Sequence, residues 1–265
     1  MLIAIILGII EGITEFLPIS STGHLILANQ FITFSNSDFA NTFDIFIQLG
    51  AVLAVIIFYR NRLIPYLWQK DQKINRSIID LWLKTIVAFI PAGFFGLLFG
   101  DWIKDHLFTP TVVGSSLLLG GIIIILIERK PKPSTTNSCE KISFKNSLIV
   151  GFSQCLGMIP GTSRSAATII TALLLGFNRP TAAEFSFFLS VPTLGIASIY
   201  SLFKADIHFD QQEIIWLSLG FISAFLVSYL VISKLIKYIA QNSFTVFGYY
   251  RIIIAIIIAI FFYLQ

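Results

Sequence analysis

Charge is scarce in this chain. Only 12% of its 265 residues are Asp, Glu, Lys or Arg, where soluble globular domains carry about a quarter, so an ordinary soluble domain is excluded as its main body. Cysteine is scarcer still. Cys139 and Cys155 sit in unlike surroundings, and two such thiols build neither a disulfide framework nor a metal cluster. The N-terminus lacks both a basic n-region and a small-residue cleavage site, so it does not read as a signal peptide. No basic patch interleaved with aromatics is present, which removes nucleic acid as a partner.

What the chain has in abundance is apolar sequence. Hydrophobic residues make up 56% of it, and its mean hydropathy is +0.85. Apolar runs near 43–59, 81–100, 111–127, 182–203, 213–233 and 244–264 each approach the roughly 20 residues a helix needs to cross a bilayer. Six crossings in one all-α integral membrane domain, 1–265, are therefore expected. Two further apolar stretches are too short to span. Residues 2–10 reach Glu11 and then break at Pro18, and the piece from Leu25 ends at Ser35-Asn-Ser-Asp38. The economical reading is a re-entrant hairpin that turns at Pro18–Gly23. Residues 147–175 repeat the pattern with a turn at Pro160–Ser165.

Gly8-x-x-Glu11 matches Gly151-x-x-Gln154 and, after a one-residue gap, Pro18-x-x-Ser21 matches Pro160-x-x-Ser163. The halves 1–128 and 145–265 thus form a weak repeat. The linker 129–144, rich in Pro, Ser and Thr, reads as a mobile cytoplasmic loop. A hairpin followed by three crossings puts the second half upside down relative to the first. Charge agrees with this inverted-topology repeat. Arg60, Arg62, Lys70, Lys73 and Arg76 cluster in one connection, and Arg129, Lys130, Lys132, Lys141 and Lys145 in another; Arg179, Lys234 and Lys237 join them. The intervening segments are acidic, with Asp38, Asp101, Asp105, Asp206, Asp210 and Glu213. By the positive-inside rule the basic set is cytoplasmic and both termini are outside. Lys84, Arg164 and Arg251 are left over, at or inside apolar runs.

Polar groups concentrate in the two turns. Ionisable residues at membrane depth cost about 2.5–3.5 kcal/mol each on insertion scales, so such a concentration points to function. Glu11 and Glu15 are four apart and share a helix face. Two carboxylates so placed must share a proton, meet an arginine or hold a cation; Arg164 and a divalent ion are the candidates. Ser20, Ser21 and Thr22 have the pattern of a helix N-cap, and capping alone accounts for any one of them. The opposing Gly161-Thr162-Ser163-Arg164-Ser165 repeats that chemistry and adds a fixed charge. Two helix N-termini aimed at one point, with a guanidinium, suit a phosphate. His24 is placed to act as base or acid near Ser21, although a lone histidine more often has a structural role. Glu184 reads as pairing with Arg164 or the buried turn; for Glu184, Gln48 and Asp44 a helix-packing role serves equally well. His106 and His208 receive no role.

These residues carry a resemblance. Glu11-Gly-x-Thr-Glu15-Phe-Leu-Pro-x-Ser-Ser-Thr-Gly-His24, Pro160-Gly-x-Ser-Arg-Ser-Ala-Ala-Thr168 and Glu184-Phe-Ser-Phe together resemble the undecaprenyl-diphosphatase family, the bacitracin-resistance proteins, over the whole chain. The resemblance implies hydrolysis of undecaprenyl pyrophosphate to undecaprenyl phosphate and inorganic phosphate, which recycles the lipid carrier of cell-wall synthesis. It implies the bacterial plasma membrane, a site open to its outer face, and a divalent cation, Mg2+ or Ca2+, held by Glu11 and Glu15. Ser21, His24, Glu15, Glu11 and Arg164 become the expected catalytic set. Ser20, Thr22, Ser163, Arg164, Ser165 and Thr168 become the pyrophosphate ligands, with Gln48 and Glu184 behind them. In the mechanism so expected, His24 is steered by Glu15 and relays the proton. Attack by Ser21, by water or by His24 itself stays open, as does a homodimer. A lipid flippase on the same inverted repeat is the main alternative. A non-catalytic scaffold gives no reason to bury Glu11, Glu15 and Arg164.

Overall fold

The structure, a computed structural model, describes residues 1–64, 76–204 and 209–263. Lys70, Lys73, Asp206 and His208, used above, lie outside them.

Eleven α-helices make up the described fold. The first pair is short: α1 is Leu2–Thr14 and α2 is Ser21–Asn29. At 1.5 Å per residue, neither covers the ~30 Å hydrocarbon core. Then come α3 (Ser37–Phe58), the single turn α4 (Arg60–Leu63), α5 (Arg76–Leu107) and α6 (Pro110–Arg129). A second short pair follows, α7 (Phe144–Gln154) and α8 (Arg164–Leu174), and then α9 (Arg179–Lys204), α10 (Gln211–Ile239) and α11 (Thr245–Tyr263). Six of these, α3, α5, α6, α9, α10 and α11, are long and apolar enough to cross a membrane. The chain is a multi-pass, all-helical membrane protein.

Starts are set by polar caps. Asn36 accepts from the amides of Asp38 and Phe39, so α3 begins six residues ahead of its apolar run. Thr109 caps α6 with Pro110 in its first turn, and Asp210 and Glu213 form a capping box on α10. Pro91 and Pro192 lie inside α5 and α9. Neighbouring helices can satisfy the backbone groups that such residues free.

Helix approach is governed by glycine. A Cβ on Gly8 would stand 2.5 Å from the Gly220 carbonyl, which places α1 tightly on α10. A Cβ on Gly151 would stand 2.3 Å from the Ala88 carbonyl, which places α7 tightly on α5. In the same way α6 meets α11 through Gly121 and Gly248. Phenylalanines fill the centre: Phe16, just after α1, meets Phe187 of α9 edge-to-face at 5.2 Å, and both are fully buried.

The linker is not the mobile loop its composition suggests. Thr135 and Thr136 donate backbone N–H bonds to the Gly176 carbonyl, and Asn178 donates back to Thr136. Cys139 and Ile142 are buried, and Lys84 reaches the Glu140 carbonyl at 2.9 Å. Proline and serine lower local helicity, but backbone pairing across the α8–α9 connection holds the segment in place.

Gly151→Ala should therefore destabilise the protein by about 1–3 kcal/mol, because the α5 backbone cannot yield. Gly100→Ala in α5 meets nothing within 4 Å and should leave the melting temperature unchanged or raise it. Thermal unfolding of the two variants in detergent measures the difference.

Candidate active site

Both turns end in the same way. Ser20 caps α2 and accepts from Gly23 N; Ser163 caps α8 and accepts from Ala166 N. Each is a non-glycine residue at positive φ, 73° for Ser20 and 70° for Ser163. Such a conformation costs about 1–3 kcal/mol and clusters at functional sites. The structural equivalence is Ser20 with Ser163, at the offset that also pairs Gly8 with Gly151 and Glu11 with Gln154. The one-residue gap expected from the prolines is therefore not needed.

The residue after each cap reaches the same carboxylate. Ser21 Oγ donates to Glu15 Oε2 at 2.5 Å, and Arg164 Nη2 donates to Glu15 Oε1 at 2.8 Å. Glu15 and Ser21 are buried, and the Arg164 side chain is 9% exposed. Ser165 adds a second tie across the turns, from its Oγ to the carbonyls of Leu17 (3.0 Å) and Glu15 (3.3 Å). Gly161, at φ 86°, lets the second turn lie against α6, where a Cβ would stand 2.4 Å from the Val113 carbonyl.

Arg164 is aimed from behind. Its Nη1 donates to the Ser186 carbonyl at 2.8 Å, and Thr168 Oγ1 shares a 2.7 Å bond with Ser186 Oγ. Its Nε is buried without a hydrogen-bond partner, so a donor remains for a ligand. Ser186, within the Glu184-Phe-Ser-Phe motif, was not singled out by the sequence, although its place beside Thr168 is what orients the guanidinium. Ser163 Oγ also meets Ser165 Oγ at 3.0 Å. Thr22 lies half-buried in the first turn of α2.

His24 differs from expectation. Its Nδ1 meets the Ser20 carbonyl at 2.7 Å, and its Nε2 meets Tyr250 Oη at 2.8 Å. Glu15 is not its partner. A carbonyl only accepts, so Nδ1 carries the proton, and in the neutral ring Nε2 presents its lone pair to the Tyr250 hydroxyl. The Tyr250 ring lies parallel to the imidazole, at 5.5 Å and 6°. Tyr250 carried no signal in sequence beyond being an aromatic in a spanning run.

Glu184 is elsewhere. It pairs with Arg62 at 2.7 Å, which also holds Glu140 at 2.8 Å. Pairing with Arg164 is overturned, because α9 turns Glu184 toward α4 and the linker. The nearby Cys139 thiol is buried and pushed well above its ordinary pKa by that burial, with the Glu184 carboxylate adding to the shift. Gln48 accepts from Ser198 at 3.5 Å and bonds to none of the turn residues. Asp44 accepts from Asn29 at 2.7 Å. Glu11 is fully buried, and both its oxygens lack hydrogen-bond partners. Among the described residues no cluster of three or more His, Cys, Asp or Glu gathers as a metal site.

One residue left over by the charge argument joins the site. Arg251 of α11 is fully buried and donates to carbonyls in both turns, those of Pro18, Gly161 and Thr162. The signal for it was present: an arginine inside an otherwise apolar spanning run.

Comparison with known proteins places the chain among relatives. The model of the family described as bacitracin resistance protein BacA matches residues 4–257. An undecaprenyl-diphosphatase from Enterococcus faecalis is 45% identical over 96% of this chain and 94% of its own. Undecaprenyl-diphosphatase 1 from Clostridioides difficile strain 630 is 46% identical, covering 98% and 96%. The undecaprenyl-diphosphatase of Wolinella succinogenes is 46% identical, covering 96% and 95%. With both motif turns inside the matched span and likeness running almost from end to end, this chain belongs to the bacitracin resistance protein BacA family.

Proposed function

We propose that this chain hydrolyses undecaprenyl diphosphate to undecaprenyl phosphate and inorganic phosphate at the plasma membrane, the reaction named for its relatives. One observation carries the reading. Glu15 is gripped from both turns, by Ser21 and by an Arg164 that keeps a free Nε, at the N-termini of two serine-capped helices. Helix N-termini favour anions, and catalysis of phosphoryl transfer is mainly positioning and neutralisation of charge.

The topology belongs to the same proposal. The pairs α1–α2 and α7–α8 are re-entrant hairpins that enter from opposite leaflets and meet at their tips. The halves 1–128 and 145–265 form an inverted repeat. Matched packing supports this: α1 lies on α10 as α7 lies on α5, α3 meets α10 as α9 meets α5, and α6 pairs with α11. Both termini and the mouth of the site face outward, in keeping with the basic connections on the other side.

In the mechanism, the diphosphate sits between the caps of α2 and α8, in reach of Ser20, Thr22, Ser163, Ser165 and the Arg164 Nε. Ser21 Oγ attacks the terminal phosphorus and passes its proton to Glu15, the carboxylate it already touches. The bond from that phosphorus to the bridging oxygen breaks, and undecaprenyl phosphate leaves. Water then attacks the phosphoserine: the proton held on Glu15 returns to the departing Ser21 Oγ, one proton of the water stays on the phosphate as its hydroxyl, and the other is released. His24 Nε2, once freed from Tyr250, is the second proton carrier. A divalent cation, Mg2+ or Ca2+, fits the unpartnered oxygens of Glu11, with Glu15 beside it. When bound, it supplies positive charge to the transferred phosphoryl group.

Purified protein in detergent, given a short-chain prenyl diphosphate, should release phosphate. Arg164→Ala and Glu15→Gln should each lose about a hundredfold or more of kcat, while Glu184→Gln should keep the wild-type kcat. A wild-type rate in Arg164→Ala would remove the proposed site. Chelation should abolish turnover and the cation should restore it; undiminished rates in chelator would remove the metal from the scheme. The paired broken helices also suit lipid transport, and a wild type that moves the lipid across vesicles but frees no phosphate would favour that reading. Acid-stable, base-labile phosphoenzyme, trapped and mapped, should identify Ser21; acid-labile label would point to His24, and label found only in released phosphate would assign the attack to water.

A further inference from the structure

We propose that Arg251 is a positioning residue for this reaction, one that fixes the two capped turns against each other without touching the substrate. The inference rests on the hydrolytic reading above. All five N–H groups of the guanidinium are spent on backbone carbonyls. Nε donates to Leu117 (3.2 Å), Nη1 to Pro18 (3.2 Å) and Thr162 (3.0 Å), and Nη2 to Ser116 (3.0 Å) and Gly161 (3.0 Å). A guanidinium has five donors and no more. Arg251 therefore has none to offer a phosphate oxygen, whereas Arg164 does. No carboxylate pairs with Arg251 among the described residues.

The five carbonyls come from three places in the chain: the first turn, the second turn and α6. In a trans peptide the N–H points away from the C=O. Drawing in the carbonyls of Pro18, Gly161 and Thr162 turns the amides of Ile19, Thr162 and Ser163 outward. Ile19 then closes the first turn onto the Leu17 carbonyl, and Thr162 closes the second onto Ile159. Ser20 and Ser163 follow directly, in the positive-φ conformations that make them caps. Strained backbone of this kind persists only where its surroundings over-determine it, and Arg251 is the group that does so for both turns together. Ser21 and Arg164 come next in the chain, so their grip on Glu15 depends on the same clasp. The unpaired positive charge also lies beneath the point where phosphoryl charge would gather. Gly120 makes room for it: a Cβ there would stand 2.2 Å from Arg251 Nη2.

The test uses full-length protein in detergent and a short-chain prenyl diphosphate. Arg251→Lys keeps the charge but has only three donors. Gly120→Ala keeps the arginine but displaces its guanidinium. Monodisperse, folded protein of each should show kcat lowered about tenfold or more with KM within about threefold, since the turns are misplaced by a fraction of an ångström. Wild type assayed alongside tests hydrolysis on its own, so a silent wild type sinks the functional reading and a silent variant does not. Should Arg251→Lys fail to fold, Gly120→Ala decides. The proposal is overturned if folded variants turn over at the wild-type kcat. It is overturned equally if the loss lies wholly in folded yield, or if KM rises while kcat holds.

Discussion

A single carboxylate joins the two turns. Glu15 takes a serine from one and an arginine from the other, both its oxygens are used, and it is buried. Removing one partner from a buried pair typically costs about 3–5 kcal/mol, because the other charge is left bare. The cost falls on the tips of two short helix pairs whose residues are far apart in sequence. The alignment of the caps, the aim of Arg164 and the placing of Ser21 all follow from Glu15 staying where it is.

Two arginines divide the work between them. Arg164 lies beside the acid and retains an unpartnered Nε, as a group that meets a ligand should. Arg251 lies behind the turns with every donor satisfied by carbonyls. Both are buried in a chain with little charge, and each is compensated differently: Arg164 by a carboxylate, Arg251 by backbone dipoles.

At the linker end the chemistry is structural. Arg62 bridges Glu184 and Glu140, and Arg179 grips Glu128, which also accepts from the Phe244 amide. These pairs tie α4, α6, α9 and the linker together. An acid in an apolar helix is thus not by itself a sign of chemistry; its partner decides. Glu184 meets an arginine and holds helices together, while the carboxylate oxygens of Glu11 are buried without a hydrogen-bond partner.

The sequence by itself determined the class of fold, the six apolar spans and the two polar turns. Hydropathy and local spacing carry that information, since both act over a few residues of chain. Tertiary structure alone decided which groups touch. Glu15 serves Ser21 and Arg164 rather than His24; Tyr250 meets His24, Ser186 meets Arg164 and Arg251 meets both turns; and Glu184 belongs to Arg62. Those choices depend on the rotation of each helix about its axis and on how closely its glycines let it approach a neighbour, and neither quantity is written in a local pattern. The linker shows the same limit, since its composition predicts a loose loop but not the carbonyl of Gly176 that holds it.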